Sequence, residues 1–400
     1  TVRVAKGAPQ VIAALAGQPV DPNLDRLAAD GSRVLAVAAT DDTGSWHQLG
    51  LLALADPPRP DAATLIEQLA ELGIRVVMVS GDSAATAAAV AAQVGITGPT
   101  MRADALRDVE TDVRGAGVIA EVLPEDKYRL VKGLQDGGHT VGMTGDGVND
   151  APALRQADVG IAVAGATDVA KSAAGIVLTR DGLIDIVGLV KESRRIHQRS
   201  LTYALNVSVK KLEVPLVLIF GVFAWGQFVF TPLLMALLLL GNDVVSMAIT
   251  TDRADYARRP DRWDVGHIMT GACVIAVPLL SASIGLLWWS RNVWPHLDLS
   301  QLRSLMFFTL IASSQATIYV VRTREHAWTS RPSSPLVVAT VANLAVAFAL
   351  TLTGTFMSPL APVVAAIVIA MLTAATLLAD YLKIPTFKAL GLHRLWRQTP

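Results

Sequence analysis

Met143-Thr144-Gly145-Asp146-Gly147-Val148-Asn149-Asp150-Ala151-Pro152-Ala153-Leu154 is the stretch that decides what this chain is. The run His139–Thr144 reads as a buried parallel strand that ends in a glycine- and aspartate-rich turn. The strand thus delivers two carboxylates, Asp146 and Asp150, and the Asn149 amide to one tight loop. Its glycines permit a close backbone approach. Oxygen ligands grouped this way suit Mg²⁺, which prefers carboxylates and water. A plain solvated turn is the alternative for two acidic groups four apart, but it does not account for the whole twelve-residue run.

Working outward, Ile74–Ser80 is a second strand that runs into Gly81-Asp82, and Gly160–Val163 is a shorter third. The Ser80 hydroxyl and the free amides of its turn suit a phosphate, although a simple turn accounts for this segment equally well. Lys127, in Pro124-Glu125-Asp126-Lys127, is placed to neutralise the same phosphate or, like most lysines, to be solvated. Ala-rich helical stretches, Ala84–Val94 and Lys127–Leu134, lie between the strands. Alternating strand and helix predicts a doubly wound α/β domain with its chemistry at the strand C-terminal ends.

Residues 1–190 have the balance of a soluble α/β sequence, whereas long apolar runs dominate from about residue 200. That asymmetry explains a chain that is 52% hydrophobic, and it puts a composition boundary near 195–200. Six apolar stretches, at 201–222, 231–249, 267–289, 304–321, 336–353 and 359–381, each come near the ~20 residues that cross ~30 Å of hydrocarbon. Loop 252–266 carries Arg253, Arg258, Arg259 and Arg262, loop 322–335 carries Arg322, Arg324 and Arg331, and the tail carries Lys383, Lys388, Arg394 and Arg397. The alternate loops are nearly free of basic residues. The positive-inside rule then predicts cytoplasmic N- and C-termini in a multi-pass plasma-membrane protein. Formal net charge is zero, so no basic excess points to nucleic acid, and the single cysteine, Cys273, excludes a disulfide framework. The opening Thr-Val-Arg-Val-Ala-Lys-Gly-Ala-Pro has no leader and reads as the interior of a longer protein.

Charges inside apolar spans are costly and usually face a bundle interior. Lys210, Lys211 and Glu213 fall in the first span and Asn242-Asp243 in the second. Pro215 frees a backbone carbonyl in the first span. Lys210 and Glu213, three apart, are spaced to pair along one helix face. An internal salt bridge that only fixes packing is the alternative to an ion pathway.

These pieces, in this order, resemble the P-type ATPases of the haloacid dehalogenase-like superfamily across essentially the whole chain. The resemblance implies residues 1–55 as the C-terminal part of a nucleotide-binding domain, with Lys6-Gly7 and Arg33 at ATP. Residues 56–190, which open with Asp56-Pro57-Pro58-Arg59, match the phosphorylation domain. There Ser80, Gly81 and Asp82 would hold the phosphate, Lys127 would clamp it, and Asp146, with Asn149 and Asp150, would hold Mg²⁺. Thr167-Asp168-Val169-Ala170-Lys171 is similar to the segment leading into the fifth transmembrane helix, so residues 191–400 match the fifth to tenth. Family members phosphorylate an aspartate in an Asp-Lys-Thr-Gly-Thr motif, which is absent here. Asp41-Asp42-Thr43-Gly44-Ser45 superficially resembles it but reads better as a hairpin turn. The chain is therefore expected to need a missing N-terminal half for activity.

Asn242-Asp243, with the downstream Thr251-Asp252-Arg253 and Arg258-Arg259-Pro260-Asp261-Arg262-Trp263, is most similar to the plasma-membrane proton-pump branch. That implies Asp243 as a buried proton carrier. An arginine usual in the fifth helix is replaced by the Lys210, Lys211 and Glu213 cluster. Proton export comes first among the expectations, because two lysines would repel a divalent ion. Transport of Mg²⁺ or Ca²⁺ is the alternative, followed by a non-catalytic remnant or regulatory subunit.

Overall fold

The computed structural model describes residues 2–29, 33–54, 57–107, 115–180, 182–260, 263–294 and 297–390. Asp56, Asp261, Arg262, Arg394, Arg397 and the side chain of Arg33 lie outside the described residues. The chain divides into two compact units, Thr1–Leu189 and Val190–Pro400.

The first unit begins with an antiparallel sheet of β1 (Val4–Gly7), β2 (Arg33–Thr40) and β3 (Trp46–Leu54), in sequence order. Two helices, α1 (Pro9–Ala16) and α2 (Leu24–Ala29), precede β2. Alternate residues of β2, Ala36 and Ala38, are fully buried and meet Ile12 of α1, as the two-residue period of a strand requires. The β2–β3 connection is the hairpin turn expected at Asp41–Ser45. Asp41 accepts from the Thr43 hydroxyl at 2.6 Å and from the amides of Thr43 and Ser45 at 2.8 and 3.0 Å. The Thr43 hydroxyl, then His47, hold the Asp41 carboxyl well below the usual carboxylate range.

The parallel strands follow in two groups of three, not in one continuous sheet, among the described residues. The first, β4 (Met78–Val79), β5 (Thr100–Arg102) and β6 (Val118–Ala120), has β6 at its centre; the second, β7 (Gly142–Gly145), β8 (Val159–Ala162) and β9 (Ile176–Val177), runs in sequence order. β4 and β7 are shorter than the runs Ile74–Ser80 and His139–Thr144 that announce them. Helices α3 (Ala62–Glu71), α4 (Ala84–Gln93), α5 (Pro124–Asp136), α6 (Ala151–Gln156) and α7 (Asp168–Ala173) supply the crossovers of an α/β domain. The core forms around Ile119 and Val122 with Leu130, Val131 and Leu134 of α5.

The second unit is helical: α8 (Ile184–Trp225, which starts in the first unit), α9 (Pro232–Ala248), α10 (Val265–Val293), α11 (Leu299–Val321), α12 (Ser334–Thr353) and α13 (Pro362–Ala389). Among the described residues, five helices, α9 to α13, are long and apolar enough to cross a membrane. The sixth expected crossing is the C-terminal half of the 42-residue α8, in which Lys210, Lys211 and Glu213 interrupt the apolar window. α11 is the central helix, with 83% of its apolar window buried against 22–50% for the other four. Outer faces carry exposed Leu240, Val341 and Ile369, as lipid contact requires.

Several charges counted in basic loops are not at the surface. Arg322, at the end of α11, is buried and donates through Nε to Asp252 at 2.9 Å, and the Ser333 amide donates to the same carboxylate at 2.9 Å. Arg324 is also buried. Lys383, expected in a basic tail, lies inside α13, fully buried, 2.6 Å from Asp380 and donating to the Val320 carbonyl at 2.7 Å. The reason is shared: the last carbonyls of α11 have no intrahelical partner, and a buried charge persists only with a counter-charge and hydrogen bonds. These groups fasten helix ends together.

Candidate functional site

The strand ends of the first unit are stitched together by short bonds. Ser80 follows β4; its amide donates to Ile119 of β6 at 3.0 Å, and the Val122 amide donates back to the Ser80 carbonyl at 3.1 Å. The Glu121 amide donates to the Asp82 carbonyl at 2.9 Å. The loop Ser80-Gly81-Asp82 is therefore fixed against the residues that lead into α5. Within it the Ser80 hydroxyl donates to Asp82 at 2.9 Å and accepts from the Asp82 amide at 3.1 Å. Glu121, which no sequence pattern singles out, sits at φ 58°, in the left-handed region, immediately after β6. A non-glycine residue there is held by its surroundings, and such positions cluster at functional sites.

α5 starts three residues after Glu121, with Pro124 at its first turn, and presents Lys127 to the loop after β7. Lys127 Nζ lies 2.6 Å from Asp150 Oδ1, and the other Asp150 oxygen accepts from the amides of Asp146 and Gly147 at 3.2 and 3.1 Å. Burial pushes the Asp150 carboxyl up, but the Lys127 ammonium and the two amides outweigh it and hold it below its ordinary value. Gly145 makes this closure possible: a Cβ there would fall 2.6 Å from Asp150 Cβ. The Thr167 amide donates to the Asp146 carbonyl at 2.9 Å while its hydroxyl caps α7, which brings the Thr167–Lys171 segment to the same loop.

The three residues grouped for Mg²⁺ thus stand differently. Asp150 is committed to Lys127 and two amides. Asp146 and Asn149 are exposed at the strand end, with no side-chain hydrogen bond among the described residues. Among the described residues no three His, Cys, Asp or Glu side chains cluster as a metal cage. One free carboxylate with an amide beside it fits Mg²⁺, which keeps several waters and binds one or two carboxylates plus substrate phosphates. Lys6 is exposed on β1, and Gly7 pairs with Ala36, so Arg33 lies three residues beyond the end of that pairing on β2. Among the described residues no hydrogen bond or ion pair joins the Lys6 side chain to the strand-end loops.

In the second unit, Glu213 of α8 is fully buried and accepts from Ser283 of α10 at 2.9 Å and Ser313 of α11 at 2.6 Å. Its second oxygen has no hydrogen-bond partner, and neither do the Lys210 ammonium and both side-chain polar atoms of buried Asn206. The Lys210–Glu213 salt bridge that the spacing allows is not among the ion pairs of the described residues. Lys211 is exposed. Asn242 is buried, donating to Ser314 and accepting from Gln315, both at 3.3 Å. Asp243 departs from expectation: it is exposed, because one residue on a helix turns the side chain by ~100° and α9 gives its Asn242 face to α11. One turn of polar residues on α11, Ser313–Gln315, serves both Glu213 and Asn242, a convergence no local pattern announces.

Residues 1–158 match the family model of haloacid dehalogenase-like hydrolases. A Methanocaldococcus jannaschii protein named as a cation-transporting ATPase is 36% identical over 343 residues, covering 82% of this chain and 42% of the relative. A Leishmania donovani protein named as proton ATPase 1A is 35% identical over 380 residues, covering 83% of this chain and 39% of the relative. A Dictyostelium discoideum protein named as a plasma membrane ATPase is 35% identical over 370 residues, covering 86% and 35%. The chain spans about two fifths of the length of the curated relatives it matches.

Proposed function

This chain is homologous to the P-type cation-transporting ATPases and carries a haloacid dehalogenase-like hydrolase domain, and from that premise we propose that it forms part of an ATP-driven pump exporting protons through an aspartyl-phosphate. The observation that carries this reading is one chain holding both a fixed strand-end site and charged side chains inside apolar helices. The phosphorylated aspartate would lie in sequence outside these 400 residues, since the Asp-Lys-Thr-Gly motif is absent.

At the strand ends, Ser80 and the amides of Gly81 and Asp82 would orient the phosphoryl oxygens. Lys127 would meet the same group while Asp150 fixes its ammonium. Asp146, with Asn149 beside it, would hold Mg²⁺, whose chemistry when bound is to offset charge on the transferring phosphoryl group. Asp150 acts as a positioning residue in this scheme. Lys6, Gly7 and Arg33 would contact ATP from the antiparallel sheet. In the membrane unit, Asp243 would take up and release the proton, with Asn242, Lys210, Lys211 and Glu213 along the pathway. The N- and C-termini would face the cytoplasm.

A lysine three residues from Glu213 in the same apolar span favours a proton over a divalent cation, which its ammonium repels. The test is ATP-driven flux in vesicles holding the full-length natural protein. Acidification that stops in Asp243→Asn, with no Mg²⁺ or Ca²⁺ uptake, is expected. Divalent uptake insensitive to the proton gradient would transfer the assignment to Mg²⁺ or Ca²⁺. Absence of any ATP-driven flux would leave a regulatory role.

A further inference from the structure

The loop Ser80-Gly81-Asp82 is held by two amides that a straight strand could not offer together. Successive N–H groups of an extended chain point to opposite sides. Leaving β6, the Glu121 and Val122 amides instead turn to the same side, donating to the Asp82 carbonyl at 2.9 Å and the Ser80 carbonyl at 3.1 Å. Only the φ and ψ of residue 121 separate those two amides, and φ there is 58°. The left-handed turn is therefore what brings both amides to the loop after β4. The consequence falls on the other edge of the same peptides. A trans peptide points its C=O and its N–H in opposite directions. With the Ser80 and Asp82 carbonyls held, the Gly81 and Ser83 amides face away from residues 121 and 122, and among the described residues neither makes a hydrogen bond. The Ser83 hydroxyl accepts from the Thr86 amide at 3.3 Å, which fixes the next step of the chain as the start of α4. β6 lies between β4 and β5, and the Glu121 carboxylate reaches the other neighbour, 3.5 Å from Arg102 Nε at the end of β5. Glycine would adopt the same turn with less strain; glutamate adds this second anchor.

We infer that Glu121 is a positioning residue for phosphoryl binding, and that its left-handed turn aims the Gly81 and Ser83 amides at the phosphoryl oxygens. The inference rests on the phosphoryl-transfer reading above and adds Glu121 and the Ser83 amide to it. A β-branched residue at 121 avoids the left-handed region. It returns the chain to an extended path and withdraws one of the two amides from the loop. The carbonyl so freed turns with its peptide and presents an oxygen, in place of an N–H, to an incoming anion.

The experiment uses the full-length natural protein in detergent, with orthovanadate as the phosphoryl probe. Vanadate inhibition of ATP hydrolysis, kcat and the KM for ATP are measured for Glu121→Gly, Glu121→Asn, Glu121→Ala and Glu121→Val. Glycine and asparagine accept the left-handed turn. Their half-inhibiting vanadate concentration should stay within about twofold of the parent, the loss of one exposed anchor. Glu121→Val should raise that concentration about tenfold, the worth of one hydrogen bond, and lower kcat with the KM for ATP unchanged. Glu121→Ala should lie between the two groups, so the order is still read if the Val variant fails to fold. Equal vanadate sensitivity across the series would overturn the inference, because the loop would then be set without Glu121. An equal loss in the Gly and Val variants would overturn it too, since the carboxylate and not the turn would be responsible. A parent protein with no vanadate-sensitive hydrolysis would overturn the phosphoryl-transfer reading itself, and the role of Glu121 with it.

Discussion

The two charged sites of this chain are finished to different degrees. At the strand ends of the first unit, Asp150 has Lys127 on one oxygen and two backbone amides on the other, and the loop around Ser80 is tied to β6 on both sides. Inside the helices, Glu213 has two serines on one oxygen, and among the described residues its other oxygen, Lys210 and Asn206 have no hydrogen-bond partner. A site that orients a phosphoryl group gains from being fixed before the substrate arrives. A site that loads and releases an ion must keep some of its coordination open. Elsewhere in the same helices, Asp252 and Arg322 form a fully bonded buried pair, so the open valences at Glu213 do not reflect a general shortage of partners there.

The sharpest way to separate finished from open charges is to remove one. Arg322→Met leaves Asp252 buried without its cation, and a loss of about 3–5 kcal/mol in stability is expected. Thermal or denaturant unfolding of the full-length protein in detergent checks it; an unchanged midpoint would mean that Asp252 is solvated. On the proposed function, Lys127→Met in the full-length protein should lower ATP hydrolysis by about 10²–10³-fold. A double variant that also replaces Asp150 by Leu should recover folding without recovering hydrolysis, and recovery of both would reduce the pair to scaffolding. Gly145→Ala forces the Asp150 side chain aside and should cost about 1–3 kcal/mol with a parallel fall in hydrolysis. By contrast Glu213→Gln, which keeps one acceptor for the two serines, should change stability by only about 0.6 kcal/mol. A much larger loss would show that the open oxygen has a partner in the membrane. Asp41→Asn should leave hydrolysis at the parent rate, since Asp41 only closes a hairpin turn.

Much of this was legible where local rules act. The Met143–Leu154 run had to be a strand end, because a glycine turn beside two carboxylates has few other uses, and Thr43-Gly44 had to be a turn. Apolar length announced the helices of the second unit. Partners distant in sequence were not legible. Glu213 finds its serines 70 and 100 residues away, and Asp252 finds Arg322 after 70. Counting Lys and Arg in loops treats each as facing water, so it misplaced Arg322, Arg324 and Lys383, which are buried inside the fold. The exposure of Asp243 was not legible for the opposite reason: polarity within an apolar run says that a residue is unusual, not which way the helix turns it. The Glu121 backbone angle leaves no compositional trace at all.

Gly241 lies on α9 beside Asn343 of α12, so close that a Cβ at 241 would come within 2.4 Å of the amide oxygen. Among descendants of this sequence the two positions are therefore not free to vary one at a time. Any side chain gained at 241 requires a smaller or repositioned residue at 343, whereas 343 is free to shrink first. The order of substitutions is constrained as well as their identity, and a family tree should show position 343 changing before or together with position 241.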